Sequence, residues 1–296
     1  MKQNNPLTVE IAGGLGNQLF MFYAGLYFQE NLQRKVTFDI SDLLRIKKLH
    51  PGENIQTLGL LDGYSTTVGF KTLNKKMEKV VSGLKRFATK DPHGRTFTTK
   101  EIGFINSDLI ASSFNRIRGY FQTWVYFNSL NNRPILSLES ISNPSTWLIE
   151  NLHRAKRENV LSLHVRRGDY ALQANRMNGI LSVDYFRKAL MSFSECDCVW
   201  IFTDSPKEVA NEFLQLGFPF EIVSPPSNSD PVESLILMAA SKNIVISNST
   251  YSWWSAMLAG DEASIFAPSK WYELREDPIK LIPDTWSRIP SDWATQ

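Results

Sequence analysis

The chain has 296 residues, 43% of them hydrophobic and 21% charged, with a net charge of +2. That length accommodates two domains with separate cores, the composition is that of a folded globular protein, and the near balance of charge argues against nucleic acid as a general partner. The two cysteines, Cys196 and Cys198, flank Asp197, too close for an ordinary disulfide and too few for a metal site, and they fit a reducing compartment.

At the start, residues 7 to 11 read as a short strand, followed by Gly13-Gly14-Leu15-Gly16 and an apolar helix over about 17 to 31. Glu10, Asn17, Gln18 and the glycines make residues 7 to 28 neither a signal sequence nor a membrane span, so a cytoplasmic location is expected. Asn248-Ser249-Thr250 matches a glycosylation sequon, discounted for the same reason. Residues 36 to 39 form the next expected strand, which completes a strand, Gly-rich turn, helix and strand, the opening of a doubly wound fold. Residues 71 to 100 carry nine Lys or Arg, with Leu73, Met77, Val80, Leu84 and Phe87 at helical spacing. This basic amphipathic helix is either a solvated face over a packed one or a peripheral contact with an anionic membrane or a lipid-linked acceptor.

A helix opening at Asn143-Pro144-Ser145, with Ser142 or Asn143 as its cap, runs to about 158 and leads into a strand before His164. The domain boundary is placed near it, giving residues 1–150 and 151–296. Beyond, strands at 199–203, 220–223, 244–247 and 263–267 alternate with helices at 207–216, 235–241 and from Trp253 onward. Such alternation indicates a parallel sheet and an α/β fold class.

The densest chemistry lies at His164-Val165-Arg166-Arg167-Gly168-Asp169-Tyr170, where a buried strand gives way to a loop. Open α/β sheets bind ligands at that end of a strand, and a guanidinium fork matches a phosphate. Alternation sends Arg166 and Arg167 to opposite sides, so one of them, Arg166 on the side of His164, is expected to meet a β-phosphate. The alternative for Arg166 is an internal ion pair with Asp169. A lone histidine such as His164 is commonly a satisfied core residue. Asn248, Ser249, Thr250 and Ser252 precede a helix, a natural anion site, or else Ser252 is simply its N-cap. Trp253 and Trp254 read as core. Gly13-Gly14-Leu15-Gly16 departs from the dinucleotide fingerprint, since Leu19 stands where a glycine would be needed. The chain contains no Asp-x-Asp pair, and no His/Cys cluster has metal-ligand spacing.

Five segments, GGLGNQLF at 13–20, GYFQTWVYF at 119–127, HVRRGDY at 164–170, FTDSP at 202–206 and SNSTYSWW at 247–254, occur in one order. Together they resemble the glycosyltransferase family 11 α-1,2-fucosyltransferases of bacterial type. The resemblance implies a GT-B architecture, two Rossmann-like domains facing across a cleft, the first on the acceptor side and the second binding nucleotide-sugar. It implies metal-independent, inverting transfer of L-fucose from GDP-L-fucose to the 2-hydroxyl of a galactose-terminated glycan, without a cofactor, in a setting such as O-antigen synthesis. Arg166 and Arg167 are then the diphosphate clamp, His164 approaches the guanine or ribose, and Asn248, Ser249, Thr250 and Ser252 meet the phosphates. Gly14, Asn17 and Gln18 face the donor, and Asp204 serves the ribose or a phosphate-loop hydrogen bond. Two departures stand out. Ser234 occupies the position where the family usually has an Asp for the guanine edge, which Glu233 or Asp230 would replace, and Met21 stands where a Gln is common. Asp169 is the candidate base, weakened by its arginine neighbours, with Glu10 and Asp39 as other carboxylates near strand ends.

Competing expectations remain. The same fold could use another nucleotide-sugar or acceptor hydroxyl, or act as a carbohydrate-binding module without turnover. Arg167-Gly168-Asp169 also spells an adhesion tripeptide, which should then sit on an exposed loop of a secreted protein.

Overall fold

The computed structural model describes residues 6–46, 55, 59–68, 96–99, 102–110, 114–171, 177–193 and 196–294, with side chains omitted at 44–46, 169 and 171. Most of the expected basic helix at 71 to 100 lies outside those residues. Contacts divide the chain into two compact units, Met1–Pro134 with Pro278–Leu281, and Ile135–Asp277 with Ile282–Gln296.

In the first unit, β1 (Leu7–Glu10), β2 (Val36–Asp39), β3 (Ser65–Thr67), β4 (Thr96–Thr98) and β5 (Arg116–Arg118) form one parallel sheet ordered β3-β2-β1-β5-β4. Helix α1 (Leu15–Leu32) joins β1 to β2 and is buried on nearly every side, which suits an apolar sequence without a polar stripe. It reaches the sheet closely because Gly25 has no side chain: a Cβ there would stand 2.6 Å from the Phe38 ring. Alternation puts Leu7, Val9, Val36, Phe38 and Ile117 on the apolar face and Thr8, Glu10, Asp39, Arg116 and Arg118 on the other. Short helices α2 (Ser41–Ile46) and α3 (Trp124–Asn128) complete the described helices of this unit. The returning segment Pro278–Leu281 is held by backbone bonds: the Phe104 N–H donates to the Ile279 carbonyl, and the Trp124 N–H and Thr123 hydroxyl both donate to that of Lys280. Gly103 leaves room for it, since a Cβ there would stand 2.6 Å from the Ile279 carbonyl oxygen.

The second unit holds β6 (Val160–Val165), β7 (Cys198–Thr203), β8 (Phe220–Ile222), β9 (Asn243–Val245), β10 (Ser264–Pro268) and β11 (Ser287–Ile289) in the parallel order β8-β7-β6-β9-β10-β11. Renumbered from β6, this is 3-2-1-4-5-6, the Rossmann order, with strand direction of winding reversing between β6 and β9. β6 is buried along its whole length, as a central parallel strand must be. Leu161, Leu163 and Val165 pack with Tyr185, Phe186, Ile201, Val209 and Phe213. Each such side chain contributes roughly 1.5–3 kcal/mol of burial, and a Leu163→Ala cavity would cost about 2–5 kcal/mol.

Among the described residues the α-helices of this unit are α4 (Thr146–Arg157), α5 (Val183–Leu190), α6 (Pro206–Phe213), α7 (Pro231–Ala239) and α8 (Thr250–Leu258). The expected division at residue 150 would cut α4. The units part instead at 134/135, because α4 belongs to the second unit: Ser145 caps it and bonds the Glu233 carboxylate, and Arg154 pairs with Glu221. The cap is thus Ser145, neither Ser142 nor Asn143. Helix α5 and strand β11 have no counterpart among the sequence expectations. Cys196 and Cys198 are both free thiols. No helix of the described residues is long and apolar enough to cross a membrane.

Candidate active site

The carboxyl ends of β6, β7 and β9 gather the chemistry of the second unit, at the point where the strand order reverses. His164, near the end of β6, is 5% exposed, and its Nδ1 lies 2.7 Å from the Ser247 hydroxyl beyond β9. Burial, helped by the neighbouring Arg166 charge, pushes its pKa down to about 3. The ring is therefore neutral at physiological pH. It acts as a hydrogen-bonding group and supplies no charge to a phosphate.

The two arginines after β6 part company. Arg166 is partly exposed, with Nη1 3.0 Å from Asp204 Oδ2 and its guanidinium 5.6 Å from the centre of the Tyr170 ring. Arg167 is buried: Nη2 donates to Glu212 at 2.7 Å, and Nη1 donates to the carbonyls of Arg166 and Leu181. Its assignment to the donor is corrected by that pairing, which commits the guanidinium to holding the loop. A buried Arg167 also removes the adhesion-tripeptide alternative. Asp204 follows β7 and takes the Arg167 N–H at 2.9 Å on Oδ1. Asp169 lies in a 3-10 turn, Gly168–Ala171, and its side chain is outside the described set.

The turn after β9 is tied down from inside. The Asn248 side-chain amide donates to the carbonyls of Asn178 and Gly179, and its own carbonyl accepts the Tyr170 hydroxyl at 2.9 Å. Helix α8 begins at Thr250, three residues earlier than expected, so Ser249 is the N-cap. Ser249 makes no side-chain capping bond, and the first-turn N–H groups of a helix point outward along its axis. That leaves a positive helix terminus beside Ser249 and Thr250. Ser252 is fully buried and its hydroxyl donates to the Ser249 carbonyl, so neither phosphate contact nor capping is its task. Trp253 and Trp254 are core, as expected.

Glu233 is 3% exposed, with one oxygen 2.7 Å from the Ser145 N–H and the other 2.6 Å from its hydroxyl. Its expected role at guanine is overturned, because both oxygens serve the cap of α4. Asp230 is occupied too, as the N-cap of α7, where it accepts the Val232 N–H.

In the first unit the Gly13-Gly14 turn follows β1, and Gly13 has φ +77°, a backbone that favours glycine. Gln18 is fully buried, donating to the Gly13 carbonyl and accepting the Ile55 N–H, so it braces the turn and is withdrawn from the ligand. Asn17 is half-buried and accepts from the Gln122 side chain at 2.8 Å. Met21 is a packing residue whose sulfur accepts the Ala12 N–H. Glu10 pairs with Arg118, and Asp39 with Arg116 at 2.6 Å. Burial opposes ionisation of Asp39, but bonds from Ser41 and Arg116 outweigh it and hold the carboxyl below its usual range. Tyr170, Ser247, Gln122, Arg116 and Arg118 were not singled out from sequence. The first three lie within or beside the quoted segments, the only signal they offered.

Two Rossmann-like parallel sheets, the second carrying an arginine, a carboxylate and a helix N-terminus at its carboxyl edge, define a GT-B type α/β protein, a glycosyltransferase. The glycosyl transferase family 11 model matches residues 106–280, more than half of the chain, and the protein belongs to that family. The match includes the Arg166 loop and the α8 turn and excludes the Gly13-Gly14 turn. The chain is 27% identical to the O-antigen biosynthesis glycosyltransferase WbnK of Escherichia coli, over 94% of its length and 99% of the relative's. It is 25% identical to an alpha-1,2-colitosyltransferase of Escherichia coli, over 96% and 98% of the two chains. Among solved structures it is similar to the fucosyltransferase NodZ from Bradyrhizobium, with 14% identity, 86% and 94% coverage and a TM-score of 0.42.

Proposed function

We propose that the protein transfers L-fucose from GDP-L-fucose to the 2-hydroxyl of a galactose-terminated glycan, with inversion, in the assembly of a bacterial surface polysaccharide such as O-antigen. The observation that carries this is Arg166 at the reversal point of the second sheet, next to Tyr170, whose hydroxyl bonds the Asn248 carbonyl in the turn that leads into α8. Breaking the bond between the sugar C1 and the diphosphate sends its electron pair onto the β-phosphate oxygen. Fixed cations and N–H groups stabilise that charge most as it grows. Arg166, the first-turn N–H groups of α8, Ser249 and Thr250 would supply them, and neutral His164 would bond to the nucleoside. The acceptor oxygen attacks C1 from the opposite face and gives up its proton, for which Asp169 is the candidate base. Replacing Asp169 by Asn should slow turnover by roughly 10²-fold if it takes that proton. A small change would assign the proton elsewhere.

Charge neutralisation by Arg166 and the helix makes the transfer independent of a divalent metal. Excess EDTA should leave the rate unchanged, and loss of activity restored by a divalent cation would reject this part of the mechanism. The acceptor is galactose-terminated, and were it lipid-linked, the basic segment at 71 to 100 would bring the protein to it at the cytoplasmic face of the membrane.

The likeness to an alpha-1,2-colitosyltransferase favours one alternative, a donor whose sugar is fucose without its 3-hydroxyl. Turnover of GDP-L-fucose and GDP-colitose on the same β-galactoside, with the linkage read by NMR, decides between them. Transfer from a UDP-sugar but from neither guanosine donor would sink both.

A further inference from the structure

Asp204 is fixed at both ends of its carboxylate. Oδ1 accepts the Arg167 backbone N–H at 2.9 Å, and Oδ2 lies 3.0 Å from Arg166 Nη1. Arg167 in turn is locked by Glu212 and the Leu181 carbonyl, so the N–H that orients Asp204 belongs to a rigid segment. Gly168 adjoins the same carboxylate. A Cβ at residue 168 would fall onto Asp204 Oδ2 and lie 2.9 Å from its Cγ. The backbone does not call for glycine there, since Gly168 is absent from the positive-φ residues. The demand is for space. On the other side of the guanidinium stands the Tyr170 ring, anchored through its hydroxyl to the Asn248 carbonyl.

We propose that Asp204 is a positioning residue that aims the Arg166 guanidinium at the departing diphosphate, and that residue 168 is glycine so that this carboxylate can stand where it does. The proposal rests on the donor reading above and deepens it. A guanidinium carries five N–H donors in one rigid plane, so a carboxylate bonded to one of them sets the direction of the others. Holding one end of the fork fixes the direction of the rest, and a fixed direction matters more for the transition state than for substrate binding. A carboxylate that bonded only to the ribose would act independently of Arg166.

The test is a set of coupled substitutions in the full-length enzyme: Gly168→Ala, Asp204→Ala, their combination, and each in an Arg166→Ala background. GDP binding is read by calorimetry, and kcat and KM by transfer from GDP-L-fucose with a radiolabelled donor. Gly168→Ala and Asp204→Ala should each lower kcat by about 10–100-fold, with a smaller change in donor KM. The double variant should be no worse than Asp204→Ala by more than about twofold, and neither change should cost more than about twofold once Arg166 is gone. Asp204→Asn keeps the acceptor for the Arg167 N–H and the side-chain volume, and should fall between wild type and Asp204→Ala. It keeps the test open if the alanine variant unfolds. Losses that multiply in the Arg166→Ala background would overturn the positioning role. Absence of GDP binding by the wild type would overturn the donor reading and this proposal with it, whereas binding with multiplicative losses rejects positioning alone.

Discussion

The carboxyl edges of the two sheets are built on the same parallel topology and differ in what stands beside their paired charges. In the first unit Glu10 and Asp39 each meet an arginine of β5, and Asn17 and Gln122 meet each other, so charges and amides are balanced within the edge. In the second unit Arg166 pairs with Asp204 and Arg167 with Glu212, His164 is neutral, and α8 adds the positive end of a helix. A balanced edge offers hydrogen bonds without net attraction, which suits hydroxyl-rich ligands. An edge with residual positive potential suits an anion. Strand order locates a site; the helix terminus set beside it decides what it takes.

The contrast can be tested by removing its charges one at a time. Arg166→Ala should show the largest effect, a loss of about 10²–10³-fold in kcat/KM with little change in thermal stability. Near-normal turnover would close the case against it as the diphosphate ligand. Arg167→Ala should do the converse, lowering stability by roughly 2–3 kcal/mol as Glu212 and two carbonyls lose their donor. Denaturant unfolding measures this, and an unchanged midpoint with lost donor binding would reverse the roles of the two arginines.

His164 supplies a pH signature. Its folded pKa is depressed to about 3, so the unfolded chain takes up a proton that the folded one refuses once the pH falls below the ordinary histidine value. Stability should therefore decline as pH drops through about 6.5, by about 2 kcal/mol at pH 5. His164→Gln should flatten that part of the curve, and an equally steep acid limb in the variant would place the cause elsewhere. Glu233→Gln should cost about 1–2 kcal/mol through the α4 cap while leaving GDP affinity intact. Weakened GDP binding at full stability would restore Glu233 to the nucleotide. Smallest of all, Arg118→Ala should change stability by less than about 1 kcal/mol, because its pair with Glu10 is partly exposed, and should alter acceptor KM before donor KM. A shift in donor KM alone would contradict the division of labour between the edges.

Much of this was legible in the sequence. Strands with uninterrupted apolar runs, such as β6 and β7, and the Gly13-Gly14 turn were placed to within a residue or two, because burial on both faces and backbone permissiveness leave plain marks. Helix starts were less legible. Asp230-Pro231 opens α7 and Ser249 precedes α8, yet polar residues ahead of an apolar run look like loop until the cap is seen. Glu233 is a candidate for the guanine edge because it adjoins Ser234, and adjacency does not reveal that it sits in the first turn of α7. Composition also could not tell a polar side chain that waits for a ligand from one already satisfied. The partner of Arg167 lies 45 residues away and that of Glu233 lies 88 away, and no local pattern announces either. Gln18 and Ser252 failed for the same reason, their hydrogen bonds being closed by carbonyls that sequence does not mark.

The four residues Pro278–Leu281 have a practical bearing on how this polypeptide can be dissected or recombined. Because the Lys280 carbonyl accepts from both Thr123 and Trp124, a gene fragment stopping at codon 134 would encode an incomplete first module. Chimaeras that exchange the first unit between relatives should therefore carry codons 278–281 along with the front half.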